Sequence, residues 1–84
     1  MNIDEIKQRL NAYFISDKVE VFDSRGTGDH FSVIVISGKF INISLVDRHR
    51  MIYSIFEDKI VTDIHALQIQ AYTLEEWKKK KISN

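Results

Sequence analysis

The chain has 84 residues, 44% of them hydrophobic and 29% charged, with twelve basic and twelve acidic side chains and no cysteine. That composition describes one globular domain, small enough to bury only roughly 60–65% of the surface its unfolded chain exposes. Zero net charge supplies no whole-molecule attraction to nucleic acid or anionic lipid, and the missing thiols exclude disulfides, thiolate catalysis and cysteine-based zinc sites.

Ile3, Ile6, Leu10, Tyr13 and Phe14 recur at helical spacing behind Asn2, a suitable N-cap, and predict a helix over residues 3–14. The opening "MNIDEIKQRL" carries acids and lacks the apolar core of a secretory signal. "KVEVFD" alternates and "HFSVIVISG" is rich in β-branched residues, so both read as strands. Between them "DSRGTGD" offers two glycines able to take positive φ, which suits a hairpin loop. In the second strand Phe31, Val33 and Val35 fall on one face and Ile34 and Ile36 on the other, so either the strand is central or its second face is covered by another element or a partner. Its "VIVI" run is far too short to cross a bilayer.

"SGKFINIS" breaks the strand pattern, and Ser44 with Asp47 then matches an S-x-x-D cap. Leu45, His49, Ile52 and Phe56 form the expected apolar stripe of a second helix, widened by Val46, Tyr53 and Ile60 and ending near Lys59. In "IHALQIQAY", Leu67, Ile69 and Ala71 alternate with Gln68, Gln70 and Tyr72, giving a third strand with one dry face. Thr73 and Glu76 make another cap signature, opening a short helix that carries Trp77, with "KKKKISN" (78–84) expected to fray. The order is α-β-β-α-β-α over a single domain, residues 1–84. A right-handed crossover makes the third strand parallel to the second, and the first two form an antiparallel hairpin. The expected fold class is α+β: a three-stranded mixed sheet with helices mainly on one face. A cytoplasmic, reducing setting fits the absence of cysteine.

No residue pattern spells out a reaction, and an enzyme is not expected. The histidines His30, His49 and His65 belong to no triad or H-E-x-x-H arrangement, and "RGTG" lacks the lysine and helix start of a phosphate loop. His65 is in phase with Leu67, Ile69 and Ala71, so two readings stand: a strand-start histidine satisfying a backbone carbonyl, or a rim ligand facing a metal. His30 opens the second strand and has the same two readings. Parallel second and third strands place both histidines at one edge of the sheet. His49 shares the phase of Leu45 and Ile52, which turns it toward the sheet as a packing residue. Arg48 and Arg50 are expected to face solvent, where with Lys39 they offer phosphate contacts; a solvated, ion-paired face is the plainer reading.

The strings "DHFSVIVIS", "KFINISLVDRHRMIYSIF" and "IHALQIQAYTLEEW" resemble the BolA-like family across residues 3–77. That resemblance implies a fold similar to a type II KH module, and two functions. One is partnership with a monothiol glutaredoxin, sharing a [2Fe-2S] cluster in iron–sulfur trafficking and iron regulation. The other is transcriptional regulation through a KH-like DNA surface. It makes His65, the histidine of "HAL", a cluster ligand. Many relatives take a second ligand from the loop before Phe31; Thr27 stands there, which leaves His30 as the nearest candidate, with the loop itself as the other. Asn42 stands where relatives commonly have glycine, and asparagine tolerates the positive φ that turn needs. A [2Fe-2S] centre takes four ligands, so a chain without thiols needs sulfur from the partner's cysteine and from glutathione. Two imidazoles on one iron would resemble Rieske ligation, and because they bind metal only when neutral, binding should weaken as pH falls toward about 6 and below. Alone, the chain is expected to carry no cofactor, to be a monomer or weak homodimer, and to have no membrane partner.

Overall fold

Local caps set the helices. In the computed structural model, which describes residues 1–15, 17–60 and 62–82 (the last by its backbone alone), the Asn2 side chain accepts the Glu5 N–H at 2.9 Å and starts α1 (Ile3–Tyr13). Asp4 and Glu5 sit in its first turn, where the helix dipole favours negative charge. The strands β1 (Lys18–Asp23) and β2 (His30–Ile36) follow, then a 3₁₀ turn (Gly38–Phe40) and α2 (Leu45–Ser54), whose Ser44 cap accepts the Asp47 N–H. The chain closes with β3 (Ala66–Tyr72) and α3 (Leu74–Ile82). Asn42 takes a φ of 62°, as the turn before α2 requires.

The sheet order is β1-β2-β3, with β1 antiparallel and β3 parallel to the central β2. Register pairs Val19 with Val35, Val33 with both Val21 and Ile69, and Val35 with Ala71, so the apolar residues share one face. There α1 lies against β1 and α2 against β3, and Ile6, Leu10, Phe14, Ile52 and Phe56 complete the core. Phe14 and Phe40 bring their rings to 5.4 Å, closing the core beneath the 3₁₀ turn. The opposite face is covered at one end only. Trp77 of α3 stacks on Tyr72 at 5.3 Å and lies 5.7 Å from the Lys18 ammonium, over the row Lys18–Ile36–Tyr72, which accounts for the burial of Ile36. No helix among the described residues is long and apolar enough to cross a membrane.

Three expectations need correction. α2 ends at Ser54 rather than near Lys59, because Ile55 and Phe56 donate to carbonyls three residues back, tightening the backbone into turns. Its buried side is Arg48, Ile52 and then Phe56, while Leu45, Val46, His49 and Tyr53 are exposed. His49 therefore does not face the sheet; the helix is rotated so that an arginine occupies the inward position. Finally, α3 continues through the lysine run to Ile82, with Lys79 and Glu75 paired one turn apart at 3.3 Å; Ser83 and Asn84 of the expected tail lie outside the described residues.

Candidate metal centre

The loop between β1 and β2 is held by its own polar groups. The Asp23 carboxylate accepts the Gly28 N–H at 2.9 Å, and Ser24 donates both its N–H and its hydroxyl to the His30 carbonyl. Gly26 and Gly28 take φ of 70° and 76°, values a side chain would make costly. The loop thereby delivers Asp29 to the start of β2. Its carbonyl accepts the N–H groups of His65 (2.7 Å) and Ala66 (3.3 Å), tying the hairpin loop to the entry of β3.

This backbone link brings the two rim histidines together. His30 pairs with Ala66 in the parallel ladder, and the rings of His30 and His65 stand 6.0 Å apart, nearly perpendicular. Both turn Nδ1 toward one carboxylate: His30 Nδ1 lies 2.8 Å from Asp29 Oδ1 and His65 Nδ1 3.2 Å from Oδ2. The Thr27 hydroxyl also donates to Oδ1. That hydrogen bond, followed by the one from His30, holds the Asp29 carboxyl at about 2, well below the ordinary carboxylate range. Among the described residues neither Nε2 has a hydrogen-bond partner, and the His65 ring bonds no backbone carbonyl. His65 is the more open of the two, with 58% of its side chain exposed against 21% for His30. Thr27, at the position expected to supply the loop ligand, spends its hydroxyl on Asp29.

The basic residues do not form one surface. Arg48, expected in solvent, is 6% exposed. Its guanidinium donates to the carbonyls of Ile43 (2.8 Å) and Ala71 (3.1 Å) and forks onto Glu76 at 2.7 and 3.2 Å. Glu76 also accepts the Thr73 N–H, completing the cap of α3, and the Arg48 fork holds its carboxyl at about 2. A guanidinium so occupied has no face left for phosphate. Arg50 is exposed, 3.5 Å from Asp47, and Lys39 is exposed with its ammonium 5.5 Å from the Tyr13 ring. His49 lines a shallow groove of about 290 Å³ with Val46, Arg50 and Tyr53, apart from the histidine rim.

Asp29 is the residue that sequence reasoning missed. Its local signal was an acid directly before a strand-start histidine, but its significance depends on β3 lying beside β2.

The fold and rim define the class: an α+β domain presenting two histidines where parallel strands begin. The profile of the family described as BolA-like protein matches residues 7–76, and the chain belongs to that family. It is 35% identical over 81 residues to the DNA-binding transcriptional regulator BolA of Escherichia coli, a match covering 88% of this chain and 77% of that protein. Among solved structures, the BolA domain of SufE1 from Arabidopsis thaliana superposes with a TM-score of 0.79 at 33% identity, covering 87% of this chain and 92% of that one. BolA1 from Mus musculus gives a TM-score of 0.82 at 26% identity, covering 94% and 70%. The family's relatives carry the names of regulators and BolA-like proteins rather than of enzymes.

Proposed function

We propose that this chain is a cluster-sharing adaptor: it offers His65 and His30 to a [2Fe-2S] cluster carried by a monothiol glutaredoxin, in iron–sulfur trafficking or iron regulation. The observation that carries the reading is the pair of imidazoles at one rim, each with Nδ1 turned toward Asp29 and, among the described residues, Nε2 without a hydrogen-bond partner. Metal-binding histidines characteristically have one nitrogen held by a carboxylate and the other left for the metal. The donor set fits half a cluster. Two imidazoles cannot satisfy four ligand positions, and a chain without cysteine has no thiolate to add. A partner cysteine and glutathione complete the set, which makes the complex, not the chain alone, the cluster-binding species. A reducing cytoplasmic compartment, where glutathione is abundant, belongs to the same proposal.

The test is to mix the purified protein with cluster-loaded monothiol glutaredoxin and record visible absorption and circular dichroism. A new spectrum that is altered in His65→Ala and in His30→Ala supports the proposal. A His65→Ala spectrum identical to that of the wild type removes it.

The name of the E. coli relative favours DNA binding as the second reading. With Arg48 buried, the candidate phosphate contacts reduce to Lys39 and Arg50. Each substitution to alanine should then flatten the salt dependence of DNA affinity by about one unit of slope. Binding that does not respond to salt sinks this alternative.

A further inference from the structure

The Asp29 carboxylate contacts both rim histidines, and it belongs to neither strand. We propose that Asp29 is a positioning residue that fixes both imidazoles as Nδ1–H tautomers, so that the two Nε2 lone pairs face outward as metal donors. This rests on the cluster-sharing reading for its purpose but not for its geometry, which exists in the chain alone.

The chemistry follows from what a carboxylate can do. Ionised, it accepts hydrogen bonds and donates none. A neutral imidazole carries one proton, so a ring nitrogen placed against that oxygen is most stable as N–H, which moves the lone pair to the other nitrogen. At 2.8 Å the His30 contact is a hydrogen bond of ordinary length, while the 3.2 Å approach of the second oxygen to His65 Nδ1 is not hydrogen-bonded but electrostatically favours the same tautomer. The Thr27 hydroxyl, donating to Oδ1, orients the carboxylate so that its two oxygens divide between the two rings. Asp29 is anchored as well: its carbonyl takes the His65 and Ala66 N–H groups, which fixes its backbone at the β2–β3 junction, and the Thr27 hydroxyl and His30 hold its carboxylate there. One acid at the junction of two parallel strands thus serves two ligands that are 35 positions apart in sequence (65 − 30).

Two substitutions separate positioning from mere structure. Asp29→Asn keeps the shape but offers one acceptor oxygen and one amide donor, so it can hold only one ring as Nδ1–H. Asp29→Ala offers neither. The readout is the full apo chain at a pH where both imidazoles are neutral, using long-range proton–nitrogen NMR correlations, which distinguish Nδ1–H from Nε2–H directly. Both rings should be Nδ1–H in the wild type, one should switch to Nε2–H in Asp29→Asn, and both should move toward Nε2–H in Asp29→Ala. Thermal melts should show all three chains folded. Nε2–H rings in the wild type, or tautomers unchanged in both variants, overturn the proposal.

A second readout ties the geometry to the cluster. Carboxylates behind metal-bound histidines are worth about 10–100-fold in metal affinity, so both variants should take up cluster from loaded glutaredoxin that much more weakly than the wild type. Wild-type affinity in both variants overturns the positioning role. If the wild type itself accepts no cluster while the tautomers behave as stated, the adaptor reading fails and the Asp29 assignment stands.

Discussion

Two carboxylates in this domain are held at about 2, Glu76 beside Arg48 and Asp29 beside His30 and His65, yet they do different work. Around Glu76 every hydrogen bond ends inside the chain. Arg48 reaches in from α2, binds the end of β3 and the segment before its own helix, and forks onto the first turn of α3. A guanidinium has no lone pair to offer a metal, so that cluster can only fasten elements together. Around Asp29 the partners are imidazoles, and each carries a second nitrogen left unmatched among the described residues. The same acid chemistry becomes a fastening when its partner is arginine in the interior. With histidines at an open rim as its partners, it becomes, under the proposed function, a ligand mount.

That contrast predicts opposite costs on disruption. Arg48→Ala should have the largest effect on stability, about 2–4 kcal/mol in urea unfolding, because it leaves two backbone acceptors and a carboxylate without their donor. Arg48→Lys should recover part of this, since an ammonium keeps the charge but not the fork. Full stability in Arg48→Ala would mean that the buried arginine fastens nothing, and the distinction between the two regions would collapse.

Glu76→Gln comes next. It should cost about 1 kcal/mol at neutral pH, since Glu76 is part-exposed and its pair is partly screened. The Glu76 carboxyl is lowered in the folded chain from an ordinary 4.5 to about 2. Its ionised form therefore stabilises the fold fully above about pH 4.5, and that contribution is lost as pH falls toward 2. The stability gap between wild type and Glu76→Gln should accordingly narrow from pH 6 to pH 2.5, read from urea midpoints at each pH. A gap that widens in acid would contradict the assignment of the shift to the Arg48 pair.

The smallest effect belongs to the rim. His65→Ala and His30→Ala should each change unfolding free energy by no more than about 0.5–1 kcal/mol, because neither ring packs in the core. A loss as large as that of Arg48→Ala would recast the histidines as structural.

How much of this was readable beforehand follows from how local each signal is. Asn2, Ser44 and Thr73 announce their helices because a cap and its N–H partner lie three residues apart. The sheet was legible because alternation within each strand already selects the register that keeps Val19, Val33, Val35, Ile69 and Ala71 on one side. His65 and His30 were legible as candidates through the strand starts and the family resemblance. Their convergence on Asp29 was not, since it depends on a parallel pairing that joins residues 36 positions apart (65 − 29). Arg48 was misread for a related reason. A charged residue in a helix is normally assigned outward, and beyond the nearby Ile43 carbonyl the acceptors that let a guanidinium sit inside come from β3 and α3, met later in the chain. The rotation of α2 and the exposure of His49 follow from that one side chain.

The most direct test of the central claim is a count of nitrogen ligands. Pulsed electron paramagnetic resonance on the reduced, cluster-bearing complex with glutaredoxin detects nitrogens coupled strongly to the iron. Two should appear with the wild-type chain, one with His65→Ala and one with His30→Ala. Two strongly coupled nitrogens persisting in either variant, or none in the wild type, would contradict ligation by this histidine pair.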